Sequence, residues 1–208
     1  MTRPVAAALV VLAAAIAAGG LALEDTESSA GGAWLLPAIL YLAAGFSFVL
    51  AGIVAAARRP DNRTGLLLIG TGFTWFLGFF GTSSNDVVFT SAALVSSLPY
   101  ALLVALVLGY PTGTLPWRTD RVLLGAVVML VTAGQISFLL VATPEDLCGE
   151  TRSCPENLIR VTESETANTI GVWILNGLIT ATVLALVWRL TQRYLVASPA
   201  LRRTIGPV

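Results

Sequence analysis

The residue types that most often do chemistry are scarce here, and their scarcity limits what the chain can do. It holds no His and no Lys, so all 12 of its basic residues are Arg. Without His it lacks the commonest general base, the commonest metal ligand and any phospho-accepting imidazole. Without Lys it lacks Schiff-base chemistry and the lysine of a phosphate-binding loop. The G-x-x-x-x-G-K-[ST], H-E-x-x-H and G-x-S-x-G patterns are all absent. Gly70-Thr71-Gly72 is only the opening of a nucleotide fingerprint and lies inside an apolar run. We therefore assign no catalytic, cofactor-binding or metal-ligating residue, and expect no cofactor.

Two cysteines remain. Cys148 and Cys154 lie in Pro144–Thr166, the longest polar segment. Their C-x5-C spacing, with no His nearby, is poor for zinc. In an oxidising compartment such a pair reads as a disulfide, and we expect that bond. Asn176 and Gln135 are the amides deep in apolar segments. They read as interhelical hydrogen-bonding groups rather than a substrate site. Gly45, Gly52, Gly70, Gly78 and Gly81 read as close-packing points, and Pro37 and Pro99 as kinks.

The elements that must position these residues are long and apolar. Of the 208 residues 56% are hydrophobic, and the charged fraction of 12% is about half the soluble norm of ~25%. The mean hydropathy is +0.82. This excludes an ordinary soluble globule and a disordered chain. A membrane helix needs roughly 20 apolar residues to cross ~30 Å of hydrocarbon. Six segments qualify or nearly so: Val5–Leu23, Ala33–Ala57, Gly65–Gly81, Val87–Tyr110, Val122–Thr143 and Ala167–Trp188. None contains Asp, Glu or Arg, which disfavours a proton pump or charge-coupled carrier. Their continuity, without alternation, indicates helices and not barrel strands. The first segment follows Met1-Thr2-Arg3-Pro4 and also fits a cleaved signal peptide; its length favours a retained span.

Orientation follows from charge. Arg3, Arg58, Arg59, Arg63, Arg118, Arg121, Arg189, Arg193, Arg202 and Arg203 fall on one side of the six spans. Only Arg152 and Arg160 fall on the other, whereas ten of the twelve acids lie there, leaving Asp61 and Asp120 among the arginines. The arginine-rich side is expected to be cytoplasmic, with both termini inside.

Two loops on that side have more character than topology requires. One is Arg58-Arg59-Pro60-Asp61-Asn62-Arg63-Thr64-Gly65, in which Pro60 ends a helix and Gly65 opens the next. The other is Tyr110-Pro111-Thr112-Gly113-Thr114-Leu115. With the tail that begins Ser198-Pro199-Ala200-Leu201-Arg202-Arg203, these stretches resemble the N-terminal membrane region of actinobacterial two-component sensor histidine kinases. The matching positions are Arg58, Arg59, Pro60, Asn62, Arg63, Gly65, Tyr110, Pro111, Gly113 and Leu115. The chain departs from that family in having no phospho-accepting His and no ATP-binding motif; in the family these follow the membrane region.

The fold expected is all-α, a polytopic membrane bundle of six transmembrane helices in the plasma membrane. Residues 1–192 would form the input bundle and 193–208 the start of a cytoplasmic connector. The resemblance implies a sensory input module whose catalytic half, a histidine protein kinase, lies beyond this chain. It also implies a homodimer formed through that half, a response regulator as its partner, and the lipid bilayer as solvent. No nucleic-acid partner is expected. The alternatives are a small-molecule transporter or permease, and a membrane assembly partner without a ligand.

Overall fold

The computed structural model describes residues 2–22, 35–143, 146–147, 155–162 and 164–196. Cys148 and Cys154, and with them the expected disulfide, lie outside the described residues, as does the tail beyond 196. Among the described residues the principal α-helices are, in order, α1 (Arg3–Ala22), α2 (Leu35–Arg58), α3 (Thr64–Phe76), α4 (Asp86–Val95), α5 (Leu98–Gly109), α6 (Arg118–Val141) and α7 (Glu165–Val196). A 3-10 segment, Leu77–Thr82, extends α3, and α4 with α5 forms one interrupted span. Six spans are thus long and apolar enough to cross a membrane. The protein is an all-α, multi-pass membrane bundle.

The first half packs most tightly. α2 and α3 form a hairpin whose helices touch through glycine. A Cβ on Gly52 would lie 2.7 Å from the Gly65 carbonyl oxygen, and one on Gly72 would lie 2.8 Å from that of Gly45. Small residues let backbones approach this closely in lipid, where dispersion contact replaces the hydrophobic drive. Ala13 and Ala17 of α1, Val49 of α2, Phe76 and Phe79 form the buried core. Tyr41 crowns it: its hydroxyl donates to the Trp75 carbonyl at 2.6 Å, while Trp75 Nε1 donates to the Tyr41 carbonyl at 3.2 Å. Gly45 and Gly52 thus act as the expected contact points. Gly81 does not, because among the described residues nothing lies within 4 Å of its would-be Cβ.

The fourth span breaks at Ser96 and Ser97. Pro99 lacks an N–H, and its ring would clash with the carbonyl four residues back, so the helix restarts at Leu98 with Pro99 in its first turn. The freed Ala93 carbonyl is recovered by Ser96 Oγ at 2.8 Å and by Gln135 Nε2 of α6 at 2.9 Å. Broken backbone at membrane depth needs such partners. Gln135 therefore does join helices, as expected. Asn176 does not: it is exposed on α7, and its side chain makes no hydrogen bond among the described residues.

At the acidic end, Asn85 caps α4 by accepting from Val87 N and Val88 N. Residues 155–162 return to this rim. Asn157, buried, donates to the Leu139 and Ala142 carbonyls at 2.6 and 3.1 Å, supplying the C-terminal carbonyls of α6 with a partner. The Glu156 backbone N–H donates to Asp86 Oδ1 at 2.7 Å.

Candidate functional site

The arginine-rich end holds the polar junction of the molecule. α6 and α7 are antiparallel, so the first turn of α6 meets the last turns of α7. Asp120 is the third residue of α6, where a carboxylate complements the positive end of the helix dipole. Arg189 and Arg193 sit one turn apart toward the end of α7, and Arg193, in the last turn, complements the negative end of the dipole. Asp120 is fully buried, and Arg189 Nε donates to its Oδ1 at 2.6 Å. Arg193 Nη1 lies 4.0 Å from Oδ2, which accepts no hydrogen bond from the described residues. The Arg189 guanidinium also stands 5.9 Å from the centre of the Trp117 ring, within cation–π range.

Arg193 extends the junction to α5. Its Nη1 donates to the Leu108 carbonyl at 2.7 Å and its Nη2 to that of Tyr110 at 3.2 Å. These are end-of-helix carbonyls that have no partner within α5. One side chain of α7 therefore caps α5 while facing the Asp120 carboxylate on α6.

The two turns singled out in the sequence meet at the same end. Arg59–Asn62 is a β-turn closed by Asn62 N to the Arg59 carbonyl at 3.0 Å, with Pro60 and Asp61 at its corners. Asn62 then links the loops. Its Oδ1 accepts from Thr64 N at 2.9 Å, and its Nδ2 donates to the Pro111 carbonyl at 2.6 Å. Arg63 N donates to the Thr112 carbonyl at 3.2 Å. The Tyr110–Pro111 peptide is cis, and Gly113 has φ of 71°. A Cβ on Gly113 would fall on Thr64 N and the Arg63 backbone, so glycine is required there by conformation and by space. Gly65 is buried against Ala56 and Gly52.

The structure thus brings Asn62, Tyr110, Pro111 and Gly113 together, through the Asn62 side chain and the backbone at Arg63 and Thr64, while Gly65 packs on α2. Arg58, Arg59 and Arg63 instead expose their side chains, as does Pro60, and Leu115 is half-buried beyond the knot. Asp120 was counted in the sequence only as one of two acids among the arginines. Its position between Arg118 and Arg121, against the charge trend of that side, was the available signal. Sequence reading also ended the last span at Trp188, whereas α7 runs unbroken through 192 and 193 to Val196. No break in the helix marks the expected division at 193. Among the described residues no group of His, Cys, Asp and Glu could hold a metal ion. No protein-family model, curated protein or solved structure matches the chain.

Proposed function

We propose that the chain is the membrane-embedded input module of a two-component sensor histidine kinase, with its arginine-rich end in the cytoplasm. The observation that carries this reading is the anchoring of α7. Its last turns are held to α6 through buried Asp120 and to α5 through the Leu108 and Tyr110 carbonyls. Tyr110 belongs in turn to the two-loop knot, whose residues carry the family resemblance. A signalling element needs two discrete packings, and a buried ion pair is a contact that is either made or broken. A stimulus that shifted α7 against α5 and α6 would change what α7 delivers beyond the membrane. The gene tests this reading. The reading frame after the Val208 codon should encode a helix with a phospho-accepting His and an ATP-binding fold; a stop codon at that point would contradict it.

A second reading, a small-molecule carrier, draws on the broken fourth span. Carriers build midplane sites from interrupted helices. Beside the break lies a cleft of about 440 Å³ between α5, α6 and α7, with Ser97, Tyr100, Gln135 and Thr182 among its lining residues. Against it, the Ala93 carbonyl at the break is already taken by Gln135 and Ser96. Vesicles holding the chain should not accumulate solute under an ion gradient; uptake would favour the carrier.

A further inference from the structure

α7 lies on the periphery of the bundle. Its half-buried residues include Leu175, Thr182, Leu186, Arg189 and Arg193, which recur in steps of three, four and seven and mark the side packed on α5 and α6. A different face, centred roughly a third of a turn away, carries Thr169, Trp173, Asn176, Thr180, Val183 and Val187, all exposed. Their spacing alternates between four and three, the spacing a left-handed helix pair uses, and Asn176 sets this face apart from the other exposed faces of α7.

Asn176 is the reason to ask what covers this seam. It sits roughly 12 Å along the helix from Asn168 and roughly 20 Å from Arg189, within the depth of the hydrocarbon. Its carboxamide has no partner among the described residues, although its backbone carbonyl accepts from Thr180 Oγ1 at 2.8 Å. An amide left unpaired in lipid is costly. The other amide at that depth, Gln135, is paired.

We propose that the Thr169–Val187 seam of α7 is the contact with a second copy of this chain, with Asn176 paired to Asn176 across a two-fold axis along the membrane normal. Copies inserted by one route share one orientation, so their α7 helices run parallel. A two-fold axis brings each residue near its own counterpart. A carboxamide has two donors and an acceptor, so it can satisfy an identical partner in a way that an ionised Asp or an Arg does not. An Asn at a single position of a heptad seam also fixes register and favours one assembly size. Arg189 and Arg193 belong to the other side of the helix, so this contact leaves the Asp120 junction intact. The inference does not rest on the sensory reading.

Cross-linking of the full chain in native membranes tests it, in a Cys148→Ser, Cys154→Ser background. Under mild oxidation Thr180→Cys and Val187→Cys should each yield a species of twice the chain mass. Ile174→Cys and Ala181→Cys, exposed but off the seam, should not. Adding Asn176→Ala to Thr180→Cys should weaken association by roughly 3- to 30-fold, and Asn176→Gln should recover part of it. The seam-against-control pattern, measured with Asn176 intact, decides the matter even if Asn176→Ala inserts poorly. Monomer at every position, or equal cross-linking at Ile174 and Ala181, would overturn the proposal. So would a cross-link to a species of another mass, which would give the seam to a different protein.

Discussion

Asp120 is the residue on which the arginine-rich end turns. Its carboxylate is fully buried, whereas Arg189 and Arg193 keep 18% and 21% of their side chains exposed. Removing one partner strands the other, and for buried pairs this costs about 3–5 kcal/mol. Because Arg189 retains some water, Arg189→Ala should cost about 3 kcal/mol, the lower end of that range. Thermal unfolding in detergent measures it. Replacing both partners at once, Asp120→Leu with Arg189→Leu, should cost less than either single change, because the two closely paired charges leave together and Arg193 keeps the Leu108 and Tyr110 carbonyls. Additive losses would mean that the two side chains are not coupled. Gly113 is the second critical residue. Gly113→Ala forces a Cβ onto the Thr64 backbone and an L-residue into a left-handed conformation, which by itself costs about 1–2 kcal/mol. An unchanged melting temperature would refute the knot between the two turns. Gly113 was legible in the sequence as part of a turn. The role of Asp120 was not, because burial of an ion pair depends on which helices become neighbours.

At the scale of elements, hydropathy located all six spans, since each must supply enough apolar length to cross the bilayer. Their ends and interruptions were less legible. The last span was cut at its first arginine, yet α7 continues because Arg189 and Arg193 find partners on α5 and α6. Pro99 announced a kink, but the full break at Ser96 and Ser97 depends on a carbonyl acceptor being matched by Gln135, 42 positions away. Likewise, nothing local marks Asn157 as the residue that binds the end of α6. The α2–α3 hairpin was better foreshadowed, through Gly45 and Gly52. Gly52→Leu would drive a side chain into the α3 backbone and should destabilise by at least about 1–3 kcal/mol, the usual penalty of overpacking. Gly81→Ala, with open space around it, should stay within about 0.5 kcal/mol. Equal effects at the two positions, in the same unfolding assay, would show that the close approach of α2 and α3 does not hold the hairpin together.

For the whole molecule, charge and packing agree. The arginine-bearing turns meet at one end through Asn62 and Arg193, and the acidic rim gathers Asp86, Glu156 and Asn157 at the other. In the Cys148→Ser, Cys154→Ser background, Thr119→Cys should be shielded from an impermeant thiol reagent in intact cells and Val161→Cys should react; the reverse pattern would invert the orientation. The central claim is that α7 carries a signal across the Asp120 junction, and a kinase assay reads it most directly. The chain would be joined after Val208 to the catalytic portion of a histidine kinase, and autophosphorylation measured in membranes for the intact, Asp120→Asn and Arg189→Ala forms. A coupling of ~1–3 kcal/mol corresponds to a change of roughly 5-fold or more, so both variants should shift the rate by at least that factor and in the same direction. Rates that stay within about twofold of the intact form, with the variants still folded and inserted, would contradict the account.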